Sequence, residues 1–309
     1  PLGSRGLGDV YKRQHLRDPG TAYPLVLKAD GLAAGKGVLI VDDVEAAVDG
    51  ARSMLVDRAF GDAGRRVVVE ECLRGTEASF FVLCDGERFV ELATCQDYKR
   101  ARDGDLGPNT GGMGTYSPSA YLDTRLRDRI VTEIVRPTID GLAAEGAPYR
   151  GVLFIGVMLT AEGPKVLEYN CRFGDPETQV LLPRLDGDWA DLLERCAHGR
   201  LGDVVPSWTS QAAVCVVLAS EGYPASYPKG IPIDGLDRAA KLEGVLVFHA
   251  GTAHDADGLV VTSGGRVLGV TALGDDLAAA RERAYSAVGA IDWSGAQHRS
   301  DIALDALSR

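Results

Sequence analysis

The residues best suited to chemistry lie in Val166–Phe173, VLEYNCRF, where alternation separates Leu167, Tyr169, Cys171 and Phe173 from Glu168, Asn170 and Arg172. On a strand the first set faces a core and the second lines one face. A carboxylate, an amide oxygen and a guanidinium at successive same-face positions make a hard-oxygen site beside a fork that fits phosphate. That combination suits Mg²⁺ and the terminal phosphates of a nucleotide. A solvent-facing polar strand would show the same alternation, but this one runs into Gly174-Asp175-Pro176-Glu177. There Asp175 can cap a helix with Pro176 at its first position, which would set an anion site beside the metal-type ligands.

A second candidate is Lys28–Gly37, KADGLAAGKG. It is not a P-loop: only three residues separate Gly31 from Gly35, and Gly37 stands where a Mg²⁺-binding hydroxyl is required. A Gly/Ala loop flanked by Lys28 and Lys36, with Gly35 and Gly37 allowing close approach, can still fold over phosphates as a lid; a surface turn bearing lysines is the plainer alternative. Val67–Glu71 reads as a strand ending in Glu70 and Glu71, followed by Gly75-Thr76-Glu77. These acids can accept hydrogen bonds from an adenine amine or ribose hydroxyls, or they can be solvated turn residues.

Positioning these groups requires a mixed fold. From Tyr23 onward, short β-branched runs (24–28, 38–41, 66–70) alternate with helix-like stretches such as 44–56, which indicates an α+β (mixed α/β) class. A helical stripe of Leu126, Ile130, Ile134 and Val135 should end or kink at Pro137. Residues 103–114, DGDLGPNTGGMG, read as a ligand-covering loop without regular structure. A polar, Pro-bearing break at 203–211 separates a C-terminal segment that shows no cluster of catalytic groups. In it, 259–271 reads as a hairpin turning at Gly264-Gly265, and 276–291 as an amphipathic helix. Residues 1–14 read as a tag remnant or sequence scar, unstructured and outside the fold, with a native flexible tail as the alternative.

Composition narrows the classes. With 33 Lys and Arg against 44 Asp and Glu, the net charge is −11, which disfavours binding to a nucleic-acid backbone. The longest apolar runs are about half of the ~20 residues that a membrane-spanning helix needs. Six cysteines without a C-x-x-C pair read as reduced thiols in a cytoplasmic protein.

Taken together, KADGLAAGKG (28–37), Glu70-Glu71, QDYKR (96–100), GPNTGGMG (107–114) and RFGDPE (172–177) resemble the glycinamide ribonucleotide synthetase (phosphoribosylamine–glycine ligase) family of the ATP-grasp superfamily. The resemblance runs from about His15 to the end. It implies an ATP-grasp fold with a lid subdomain at 15–74, a central subdomain at 75–205 and a small C-terminal α/β domain at 206–309, with ATP between lid and centre. It places Lys28 and Lys36 on phosphates, Glu70 and Glu71 at adenine, Glu77 at ribose, and Glu168 with Asn170 on Mg²⁺ or Mn²⁺. Arg172, Asp175 and Lys36 are the catalytic candidates, and Gly35 and Gly37 are nucleotide-binding positions where the backbone can approach the phosphates. The implied substrates are ATP, glycine and 5-phosphoribosylamine, and the implied protein is a cytoplasmic monomer without nucleic-acid or membrane partners. Family members also carry an N-terminal α/β domain that helps hold phosphoribosylamine, and the leading residues of this sequence offer no counterpart. Nucleotide binding is therefore the most direct expectation; a nucleotide-binding fragment and another ATP-grasp carboxylate–amine ligase are the alternatives.

Overall fold

The computed structural model describes residues 16–18, 20–33 and 37–308. The chain forms two compact units, Pro1–Arg74 and Gly75–Arg309. Every pairing between named strands is antiparallel.

In the first unit, strands β1 (Leu25–Ala29), β2 (Val38–Val41) and β3 (Val67–Glu71) form a sheet in the order β2-β1-β3. Helix α1 (Val44–Leu55) begins where the Asp43 carboxylate accepts the Ala46 N–H at 2.8 Å, satisfying one of the donors a helix start leaves open. Its buried stripe, Ala47, Ala51 and Met54, packs in one core with Leu25, Leu27, Val41 and Val67.

The second unit is built on a sheet ordered β11-β10-β4-β5, from β4 (Thr76–Asp85), β5 (Phe89–Glu91), β10 (Arg150–Thr160) and β11 (Gly163–Asn170). Both faces of β4 are covered, which is why it is a continuous apolar run. Phe80, Val82 and Cys84 pack with Ile130, Ile134, Val135 and Ile139, whereas Phe81 and Leu83 pack with Phe154, Val180, Leu181 and Cys215. Phe81 stacks on Phe154 at 4.5 Å between ring centres. Burying side chains of this size contributes roughly 2 kcal/mol each.

The helix over the first face, α2, comprises Thr124–Ile130 and Arg136–Ala144 joined by a π-helical turn, Val131–Val135. Pro137 therefore does not end it. The Arg136 N–H reaches back to the Val131 carbonyl, and the widened turn accommodates the proline ring and lets the helix continue.

A second sheet, ordered β13-β16-β12-β9-β6 with β17 (Ala296–Gln297) also on β12, joins β6 (Gln96–Asp97) and β9 (Gly114–Ser117) to β12 (Ala212–Ser220), β13 (Val245–His249) and β16 (Arg266–Gly274). Helix α3 (Leu277–Val288), capped by Asp276, covers it with Ala280, Ala284 and Ala287. Two loop expectations are corrected here. Arg100–Arg102 and Leu106–Asn109 form a two-stranded ribbon (β7, β8), so 103–109 is not irregular; Gly104 supplies the positive φ (67°) of its turn. The 259–271 segment is not a hairpin: β15 (Val260–Thr262) pairs with β14 (Thr252–His254), while β16 pairs with β12 and β13. Neither Gly264 nor Gly265 has positive φ, and Gly264 instead approaches Gly251, its N–H meeting the Gly251 carbonyl at 3.1 Å. Among the described residues no helix is long and apolar enough to cross a membrane.

Candidate active site

The first unit holds Lys28, Glu70 and Glu71. Antiparallel register sets Lys28 opposite Val68 and Glu70 opposite Val26, which brings the Lys28 Nζ within 2.6 Å of a Glu70 carboxylate oxygen. Glu71 is exposed at the end of β3. Gly37 closes the loop that starts at Asp30, its carbonyl accepting the Ala29 N–H at 2.8 Å. A Cβ at Gly37 would stand 2.7 Å from the Ala33 Cβ and 2.9 Å from the Ala29 Cβ, so this position admits only glycine. Gly35 and Lys36 lie outside the described residues.

In the second unit, Glu168 and Asn170 share a face, with the Asn170 side-chain amide 3.2 Å from a Glu168 oxygen. The rest of the alternation fails. Leu167 is an extra residue in a bulge, because Glu168 pairs with Gly156 while Val166 pairs with Val157. The strand ends at Asn170, leaving Tyr169 and Cys171 exposed where a core face was expected. Arg172 lies past the strand and donates to the Phe173 carbonyl at 2.7 Å. Asp175 caps no helix: the following helical turn is only Thr178–Leu181, and its N-cap is Glu177. The Asp175 carboxylate instead accepts from Gln179 Nε2 at 3.0 Å and from Arg266 at 2.9 Å.

Beside Glu168 the fold assembles a cluster that strand alternation alone did not reveal. Glu77, at the start of β4, pairs with Lys99 at 2.6 Å. The Ser79 hydroxyl, two residues on, reaches Glu177 at 3.3 Å and Asp97 at 3.5 Å. Glu177 is buried, and burial followed by the Asp97 charge pushes its carboxyl up to about 8. Burial likewise raises Asp97 against the opposing charge of Lys99, with Glu77 adding to the rise. Burial acts to lower Lys99, but the charges of Asp97, Glu77 and Glu168 outweigh it and raise its pKa. Asp97 and Lys99 sit two apart in QDYKR, and that same-face spacing was the signal available for them; Glu177 closes RFGDPE. Nothing in the spacing of Arg266 marks it.

Among the described residues no three His, Cys, Asp or Glu side chains converge on a metal position. Glu168 and Asn170 nonetheless fit Mg²⁺, which commonly takes one or two protein oxygens and completes its shell with water and phosphate; an amide rotated to present its oxygen supplies the second.

A small antiparallel unit carrying Lys28 and Glu70, and a larger unit with a carboxylate and an amide at a strand end, are the features expected of an ATP-grasp protein. The family model for the phosphoribosylglycinamide synthetase ATP-grasp (A) domain matches residues 12–178, and that for its C domain matches 213–305. The chain belongs to the phosphoribosylamine–glycine ligase family. It is 51% identical over 298 residues to the chloroplastic phosphoribosylamine–glycine ligase of Arabidopsis thaliana, covering 96% of this chain and 56% of that protein. The enzyme of that name from Vibrio parahaemolyticus is 49% identical over 299 residues, covering 94% and 69%. The crystal structure of phosphoribosylamine–glycine ligase from Thermotoga maritima superposes with a TM-score of 0.84 at 36% identity, covering 94% of this chain and 72% of that one. The chain thus spans a little over half of the Arabidopsis protein's length and about 69% of the Vibrio protein's. The fold alone is shared with the biotin carboxylase domain of Hydrogenobacter thermophilus 2-oxoglutarate carboxylase, at a TM-score of 0.66 and 18% identity.

Proposed function

We propose that this chain joins glycine to 5-phosphoribosylamine at the expense of ATP. In the first step a glycine carboxylate oxygen attacks the γ-phosphorus and the bond to ADP breaks, giving glycyl phosphate. In the second the amine nitrogen of phosphoribosylamine attacks the glycyl carbonyl, phosphate leaves, and the nitrogen loses a proton. The products are glycinamide ribonucleotide, ADP and phosphate.

The observation that carries this reading is the Glu168–Asn170 pair, with the Glu168 charge acting on a Lys99 that is itself paired to Glu77, in a chain of this family. Joining an anion to an already anionic phosphate calls for positioning and charge neutralisation rather than a protein nucleophile. Glu168 and Asn170 would hold Mg²⁺, which supplies neutralisation of phosphate charge when bound. Lys28 and Lys36 would take phosphates, with Gly35 and Gly37 letting the loop approach them. Glu70 and Glu71 would meet adenine, and Glu77 the ribose. Lys28 and Glu70 hold each other at 2.6 Å, so a nucleotide must compete for both. Arg172 and Asp175, exposed on the turn after β11, would orient the reacting carboxylate and amine. We place the reaction in a reducing cytoplasm, a reading supported by six free cysteines.

The test is mass-spectrometric detection of glycinamide ribonucleotide with ADP released in equal amount when the chain receives Mg·ATP, glycine and phosphoribosylamine. Mg·ATP binding without that product would instead favour a nucleotide-binding role, and ADP release with a different amino acid would favour another carboxylate–amine ligase.

A further inference from the structure

Arg266 is the first residue of β16, in the C-terminal part of the chain, where sequence alone marks no functional group. The β12–β16 ladder shifts register there: Leu218 pairs with Leu268, yet Ala219 pairs with Arg266, so Val267 is the extra residue of a bulge. Bulges re-aim the side chain beside them. This one turns Arg266 onto two segments far away in sequence. One guanidinium nitrogen donates to the carbonyls of Gly111 at 2.9 Å and Asp175 at 2.7 Å, with Gly112 at 3.5 Å, and the other donates to the Asp175 carboxylate at 2.9 Å.

The glycines make this approach possible. A Cβ on Gly111 would stand 2.9 Å from the Arg266 Cζ. One on Gly112, whose φ is +116°, would stand 2.4 Å from Pro176 Cδ. The loop is tied in turn to Lys99, whose carbonyl accepts the Thr110 N–H and hydroxyl, both at 2.8 Å. A third tie from the C-terminal part is the Tyr223 hydroxyl, which accepts the Gly111 N–H at 3.1 Å.

We propose that Arg266 is a positioning residue: it locks the 110–113 loop against the Asp175 turn and so fixes the relative placement of Lys99 and Asp175. The link to substrate rests on the function proposed above; the lock itself does not. A planar guanidinium suits the task because it presents several donors in fixed directions, which an ammonium cannot.

The experiment compares the parent chain with Arg266→Met, Arg266→Lys and Gly111→Ala, by amide hydrogen exchange over 108–114 and 172–177 and by steady-state kinetics. The proposal expects Arg266→Met to speed exchange in both segments about tenfold and to raise KM for glycine about tenfold while KM for ATP stays put. Arg266→Lys should recover only part of this, and Gly111→Ala, which displaces the guanidinium, should reproduce it. Unchanged exchange overturns the proposal, as does faster exchange with an unchanged KM for glycine. If Arg266→Met does not fold, Gly111→Ala decides on the same readings. A parent chain with no glycine-dependent ADP release would defeat the proposed function instead, and the exchange comparison would then decide the lock alone.

Discussion

The strand end at Glu168 and the cluster around Glu177 use the same residue types in opposite environments. Glu168 and Asn170 are two positions apart on one strand, and Glu168 faces water, where a carboxylate remains available to a cation. Glu177 is 3% exposed, and burial with a neighbouring Asp97 charge pushes it up to about 8, so near neutral pH it keeps a proton and a hydrogen bond with Ser79. One carboxylate is set to meet a charged ligand. The other is set to fix the polar interior from which Asp97 and Lys99 emerge.

The sharpest way to break this contrast is Glu168→Ala. Removing an exposed anionic ligand should lower Mg²⁺-dependent ADP formation by roughly 100-fold, within the range metal-assisted charge stabilisation supplies, while the melting temperature stays within about a degree. Near-normal turnover would remove Glu168 from the metal role. A melting temperature that fell sharply would show the side chain to be structural.

Glu177→Gln probes the other half. Because the folded-state pKa of Glu177 is raised from about 4.5 to about 8, the folded protein holds a proton that the unfolded chain releases over that interval. The stability from this proton is complete below pH 4.5 and is lost as pH rises through 8, with a slope of up to about 1.4 kcal/mol per pH unit. Urea unfolding at pH 5, 6.5 and 8 should show this slope in the parent and a flatter one in Glu177→Gln, which keeps the partner for Ser79 without the ionisation. Parallel slopes would contradict the protonated buried acid.

The smallest expected effect is in the first unit. Gly37→Val would collide with the Ala29 and Ala33 Cβ atoms, displacing the loop that the Ala29 N–H pins to the Gly37 carbonyl. Nucleotide affinity, read by equilibrium titration, should weaken about threefold and turnover by more, since closure matters most after binding. Equal loss of both, or of neither, counts against a phosphate lid.

How far the sequence could be read follows the same divide. The shared face of Glu168 and Asn170 was legible because a strand repeats every two residues, and α1 and α3 because 44–56 and 276–291 carry helical patterns. The bulge at Leu167 was not legible: alternation assumes an unbroken ladder that runs on, whereas the register shifts at Leu167 and the strand stops at Asn170, with Tyr169 and Cys171 exposed. Asp175-Pro176 looked like a helix start, yet tertiary contacts with Arg266 and Gly112 claimed that turn. Clusters such as Ser79, Asp97 and Glu177 require the packing of β4, β6 and the turn after β11, and no local pattern encodes which distant strands will meet. Lys36 and Gly35 lie outside the described residues, so for them the sequence is the only guide.

The most direct test of the account is a thermal-denaturation titration of the parent chain and Glu168→Ala with ATP, in Mg²⁺ and in EDTA. A ligand that binds only the folded state stabilises it by RT ln(1 + [L]/Kd), about 2.7 kcal/mol at 100 times Kd. The parent should show a saturable rise with Mg·ATP and Glu168→Ala a much smaller one, with the two proteins converging in EDTA. No rise in the parent, or the same rise in both proteins with Mg²⁺ present, would contradict it.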